Sequence, residues 1–211
     1  MKNFADRFRF HISKGLQIER VLDIGAYRGD FSRLIRELWP EARVWQFEAD
    51  DRQRLHNPEA IYALLGNSER ECDFYTVDET KAFTTGSSIY RENTEFYRDP
   101  IVLKKQMKTI DSLMDAIDFS GDWKEHGLIK IDTQGSELDI LEGARKFLRT
   151  FVPRLVLLEV SVIPYNKDAP LMTDVLAYMK RIRYKPIDVF ELQYASDRTL
   201  VQMDILFQST P

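Results

Sequence analysis

Two glycines and three acids stand where they can grip a small ligand and act on it. Gly25 and Gly29 bracket a turn in Val21-Leu22-Asp23-Ile24-Gly25-Ala26-Tyr27-Arg28-Gly29-Asp30-Phe31. Glycine there lets the backbone take positive φ and lets a ligand approach closely. Glu48 follows the turn by roughly twenty residues, the spacing at which a strand-end carboxylate can accept hydrogen bonds from both ribose hydroxyls of an adenosine. Asp132 closes the run Gly127-Leu128-Ile129-Lys130-Ile131 and leads into a second glycine turn, Thr133-Gln134-Gly135-Ser136. A carboxylate there borders the same crevice as Gly25, either as a working acid or as a loop acid holding backbone amides. Glu159 ends a further apolar run that starts at Arg154.

The elements that position these residues follow from apolar periodicity. Val21 to Ile24 reads as a buried strand. Phe31, Leu34, Ile35 and Leu38 make the inner face of a helix that Asp30 would cap and Trp39-Pro40 would stop. The amide N–H groups and the positive end of that helix face the crevice beyond the strand, where ligands of open α/β sheets sit. Arg43 to Asp50 supplies a second strand, and Ala60 to Leu65 a third that ends on Gly66-Asn67-Ser68. By position in the fold class, Asn67 could bond an adenine, with Leu65 and Gly66 as an apolar wall. Glu71 to Val77 alternates as an accessory strand, and Ile101 to Lys104 returns to strand character. Between them, Phe83 to Tyr90 and the charged Arg91 to Pro100 form a long irregular region, either a cover for the site or a surface excursion.

Further along, Lys108 to Ile117 reads as a capped helix. Ser136 would cap the next, with Asp139 completing a capping box and Leu138, Leu141, Ala144 and Leu148 facing inward. Pro170 opens a helix carrying Leu171, Val175, Leu176 and Met179. Lys185 to Phe190 and Met203 to Phe207 are strands. Their link of about ten residues is short for a helical crossover, so they should pair antiparallel at the end of an otherwise parallel sheet. At the other end of the chain, Phe4, Phe8, Ile12 and Leu16 give a helix packed on the sheet edge or over the cleft.

Bulk composition narrows the function. The 211 residues are 44% hydrophobic and 30% charged, which suits one soluble α/β domain. A net charge of -4 lacks the basic footprint of a nucleic-acid binder. Cys72 is the one cysteine, and His11, His56 and His126 form no metal motif. No run of about 18 apolar residues suits a membrane span, so no membrane partner is expected. The N-terminal segment lacks an apolar signal core, so a cytoplasmic location is expected.

The Asp-x-Gly-x-x-x-Gly spacing is not the Gly-x-Gly-x-x-Gly of dinucleotide binders and resembles the first motif of class I S-adenosylmethionine (SAM) methyltransferases. The wider pattern resembles the FkbM family of that class. Its carriers are Val21 to Gly29, Phe47-Glu48-Ala49, Thr109-Ile110-Asp111-Ser112-Leu113, Thr85-Gly86-Ser87-Ser88 and above all Ile129 to Ala144. The resemblance implies a Rossmann-like, seven-stranded, mostly parallel sheet with one antiparallel strand and helices on both faces. It implies methyl transfer from SAM, commonly to a hydroxyl of a sugar or other natural product, with Asp23, Gly25, Ala26, Tyr27, Gly29, Glu48, Ala49, Asn67, Ser88 and Asp132 on the cofactor. One departure is Gln134, where many members carry glutamate.

An attacking alcohol must lose its proton to a positioned base. Asp132 is the first candidate, as base or as a holder of substrate or of a divalent cation; Glu159 and His11 come after it. Residues 1–20 are then an N-terminal helical segment and 21–211 one methyltransferase domain, acting on a small-molecule or glycan acceptor. Two alternatives stand beside this: a non-catalytic SAM- or nucleotide-binding module, and an NAD-dependent oxidoreductase. The second lacks both its three-glycine turn and a Tyr-x-x-x-Lys relay.

Overall fold

Predominantly apolar runs form the centre of the molecule, because such segments favour burial on both faces. The computed structural model describes residues 2–80 and 84–210. Met1, residues 81–83 (among them Phe83) and Pro211 lie outside the described residues. The elements in order are α1 (Lys2–Ser13), β1 (Arg20–Ile24), α2 (Asp30–Leu38), β2 (Arg43–Glu48), β3 (Ile61–Tyr62), β4 (Leu64–Leu65), β5 (Arg70–Thr76) and β6 (Ile101–Lys108). There follow α3 (Ile110–Leu113), α4 (Trp123–His126), β7 (Gly127–Ile131), α5 (Glu137–Glu142), α6 (Arg145–Phe151), β8 (Leu155–Ser161), α7 (Met172–Arg181), β9 (Tyr184–Tyr194) and β10 (Leu200–Ser209).

Seven strands form the main sheet in the order β3-β2-β1-β7-β8-β10-β9. Pairs from β3 to β8 are parallel, and β10 runs antiparallel between β8 and β9. This is the α/β architecture with one antiparallel strand expected above, and the terminal hairpin forms as its short link required. Every residue of β7 and β8 is buried. On one face Ile129, Ile131, Val156 and Leu158 pack with Leu141, Phe147 and Met179 of α5, α6 and α7. On the other, Val21, Leu128, Leu157 and Leu206 pack with Phe8 of α1 and with Phe31 and Ile35 of α2. Helix α1 is further tied to β9, where Asp188 receives both Arg7 and His11.

The structure corrects several local expectations. The stretch from 60 to 65 is not one strand. Ile61–Tyr62 pairs with β2, and Leu64–Leu65 crosses to β6 in a separate three-stranded sheet ordered β4-β6-β5. The helix expected over 108 to 117 is the single turn α3. Gly29, at φ 77°, is the N-cap of α2, and Asp30 is its first helical residue, paired with Arg33. Ser136 makes no cap bond to α5; its hydroxyl donates to the Thr133 carbonyl instead.

The helix after 136 breaks into α5 and α6. Gly143 has no room for a side chain, because a Cβ there would lie 1.9 Å from the Gly66 carbonyl oxygen. Helix α6 restarts under a cap from outside: the Asp111 carboxylate accepts the backbone N–H of Lys146 and of Phe147, both at 2.8 Å. Asp111→Ala should therefore cost about 1–2 kcal/mol, read as a lower urea midpoint with unchanged slope.

Candidate functional site

A cavity of about 380 Å³ opens beyond the carboxyl ends of β1, β2 and β7. Its first wall is the turn after β1. Gly25 sits at φ 74°, and a Cβ built there would meet the Asp132 carbonyl oxygen at 1.9 Å, so only glycine fits. The N–H groups of Gly25 and Ala26 both donate to the Phe47 carbonyl, which seats the turn on the end of β2. Tyr27 takes a left-handed conformation, φ 46°, that a non-glycine residue adopts only when its surroundings impose it. Here the constraint is Glu48, whose Oε2 accepts the Tyr27 N–H at 2.7 Å while Oε1 accepts the Asp50 N–H at 2.7 Å. Burial raises the Glu48 pKa, and these two amide bonds partly offset it.

The floor and second wall come from β7 and β8. Asp132 follows β7 directly and lines the cavity together with Glu48. Beneath it lies Lys130, whose Nζ donates to the Gly25 carbonyl at 2.9 Å and stands 3.4 Å from Asp23 Oδ1 and 3.5 Å from Asp132 Oδ2. Burial works against that ammonium, but Asp132, Asp23 and Asp204 together raise its pKa above the ordinary lysine value. The loop from 132 to 136 is held by Glu137, which accepts the N–H of Thr133 at 2.9 Å and of Gly135 at 3.2 Å. Burial pushes the Glu137 pKa up to about 7 against the pull of those amides. Ser88 completes the turn from the other side, its hydroxyl donating to the Thr133 carbonyl at 3.0 Å.

Glu159 lies within β8 rather than at its end, because pairing with β10 extends the strand. Gln134 Nε2 donates to it at 2.6 Å and reaches Asp132 Oδ1 at 3.4 Å, so one amide bridges two carboxylates. A glutamate at 134 would put a third acid in that place.

Of the residues singled out from the sequence, Gly25, Ala26, Tyr27, Glu48, Ala49, Ser88, Asp132 and Glu159 line the cavity. Asp23 does not. It is fully buried beneath the turn, accepting the Ser32 hydroxyl at 2.6 Å. Gly29 caps α2 outside the lining. Asn67 is exposed and bonds Asp139, and Gly66 packs on Met107, so neither reaches the cavity; Leu65 does. His11 is held on Asp188 outside the cavity wall. Sequence reasoning missed Lys130, Phe74, Glu92, Tyr165, Gln193 and Gln202, all of which line it. Among the described residues, no group of three or more His, Cys, Asp or Glu is placed to hold a metal ion. No helix among them is long and apolar enough to cross a membrane.

The sequence matches the methyltransferase FkbM domain over residues 23–186. The chain belongs to the FkbM family of SAM-dependent methyltransferases. None of the curated proteins compared matches it. A solved FkbM methyltransferase from Methylobacillus flagellatus KT superposes with a TM-score of 0.50 at 19% identity, over 89% of this chain and 43% of that one. This FkbM domain thus spans less than half of that protein's length. A SAM-dependent methyltransferase from Clostridium acetobutylicum ATCC 824 gives 0.52 at 10% identity, over 100% of this chain and 92% of that one. Magnesium protoporphyrin IX methyltransferase from Synechocystis PCC 6803, solved with bound SAM, gives 0.51 at 11% identity, over 98% and 78% of the two chains. At these identities the likeness is one of fold.

Proposed function

We propose that this FkbM domain binds SAM and methylates a hydroxyl on a small molecule or carbohydrate. The reading takes residues 21–211 as one catalytic domain behind the helical segment 1–20. The observation that carries it is the shared cavity of Glu48 and Asp132, with the Gly25 turn between them. The residues present fit the cofactor. Each Glu48 oxygen already holds one amide and keeps a free lone pair, which suits a pair of vicinal ribose hydroxyls. Phe47, Leu65, Phe74 and Ile140 give the cavity an apolar wall that suits a purine ring. Gly25 leaves the turn bare enough for close approach.

When bound, SAM supplies an electrophilic methyl group. The chain's own residues then have to align the acceptor, exclude water and take its proton. Asp132 is assigned as the proton acceptor, and Lys130 holds its carboxylate and the glycine turn in one frame. Ser88 fixes the backbone of the loop that follows Asp132.

Isothermal titration with SAM and with its demethylated product, S-adenosylhomocysteine (SAH), tests the first half. Absence of heat with both ends the reading. Glu48→Gln should weaken SAH by about 10- to 100-fold, since a hydrogen bond to a charged group is worth about 1.5–3 kcal/mol. Labelled SAM incubated with hydroxylated acceptors tests the second half.

A further inference from the structure

Glu159 is a buried carboxylate without a counter-cation. It is 6% exposed, and its partners are three neutral amides: Gln134 Nε2 at 2.6 Å and Gln202 Nε2 at 2.9 Å on Oε2, and Gln193 Nε2 at 3.1 Å on Oε1. Among the described residues, no lysine, arginine or histidine lies within ion-pair distance of it. Lys130 is already shared among the Gly25 carbonyl, Asp23 and Asp132. Glu92, which also lines the cavity, is likewise buried without an ion pair among the described residues. It is 6% exposed and held by hydroxyl groups of Thr94 and Tyr165.

Burying a charge beside neutral donors alone is unfavourable. Such a wall either keeps a proton or receives a positive charge from its ligand. Burial first, then the neighbouring Asp132, Asp204 and Glu137, push the Glu159 pKa well up, and the more distant Lys130 offsets only part of this. The amides matter as much as the acid. With their nitrogens turned to Glu159, the side chains of Gln134, Gln193 and Gln202 keep carbonyl oxygens that can only accept. Those carbonyl oxygens and the carboxylate can accept from –NH3+ and –OH groups, and the charge of the carboxylate repels phosphate and carboxylate.

Gln193 and Gln202 belong to the β9–β10 hairpin, beyond the residues 23–186 that match the family, and Gln134 lies in the loop after β7. The glutamine collar is close to the assigned base, because the Gln134 amide touches both Glu159 and Asp132. Neighbouring amino and hydroxyl groups on one molecule would meet those two carboxylates together.

We propose that the acceptor is a cationic amino alcohol, its hydroxyl facing Asp132 and its ammonium seated on Glu159 within the glutamine collar. This rests on the methyltransferase reading, so the test has two stages. The intact protein is first titrated with SAH; failure there counts against the cofactor reading. The SAH-saturated protein is then titrated with glucosamine beside glucose, and with ethanolamine beside ethylene glycol, at neutral pH. In at least one pair the amine should bind tenfold or more tighter than its neutral counterpart. Glu159→Gln should erase that preference, and Gln193→Ala, at an exposed position, should reduce it several-fold while SAH affinity stays within about threefold. Equal binding within both pairs, absence of binding by both amines, or a preference that survives in both variants overturns the proposal.

Discussion

Asp132→Asn should bind SAH within about a factor of three of the wild type yet lose about two to four orders of magnitude in methyl transfer, the usual contribution of a positioned base. The substitution keeps the shape of the side chain. It also keeps the backbone carbonyl that packs on Gly25, so the cofactor turn is left as it was. What it removes is the capacity to take the alcohol's proton, together with one of the two carboxylates facing Lys130. Single-turnover transfer from labelled SAM reads the effect directly. Unchanged turnover would assign the proton to another group, Glu159 first. A protein that binds SAH but transfers to no acceptor, wild type included, would be a binding module.

Lys130→Met should destabilise the fold by about 3–5 kcal/mol, the cost of removing one partner from a buried ion cluster. Methionine fills much the same volume, so packing is not the cause. Asp23 is fully buried, and its Oδ1 has no hydrogen bond and only the ammonium at 3.4 Å for company. Without Lys130 that charge is left bare, Asp132 loses its cation, and the Gly25 carbonyl loses its donor. Adding Asp23→Asn to Lys130→Met should restore a large part of the loss, because it removes the stranded charge and keeps an acceptor for Ser32. Urea unfolding of the three variants decides it: equal midpoints for wild type and Lys130→Met would mean that the cluster contributes nothing.

The frame of this molecule was legible because predominantly apolar runs have few options. Val21–Ile24, Gly127–Ile131 and Leu155–Val160 could only be central strands, and the short link after Tyr194 could only turn back on itself. Glycine at 25 announced a close approach, and the structure shows the partner to be the Asp132 carbonyl. The division of 60–65 was not legible, since Ile61 and Leu64 are equally apolar and only their partners in β2 and β6 separate them. Gln193 and Gln202 were hidden for a different reason: they meet Glu159 through strand pairing, which leaves no spacing signature. Lys130 did leave a signal. A lysine inside a run buried on both faces requires a carboxylate, and Asp23 interrupts β1 at the paired register position.

The contact between the Asp132 carbonyl and the bare face of Gly25 joins the tips of the first and fourth parallel strands with no slack. Methyl donor and base are, on the proposed reading, mounted on a single ledge whose separation is set by the sheet itself. Adaptation to acceptors of different size then has to come from the opposing rim, formed by residues 84–92 and the hairpin, where side chains can change without disturbing that ledge.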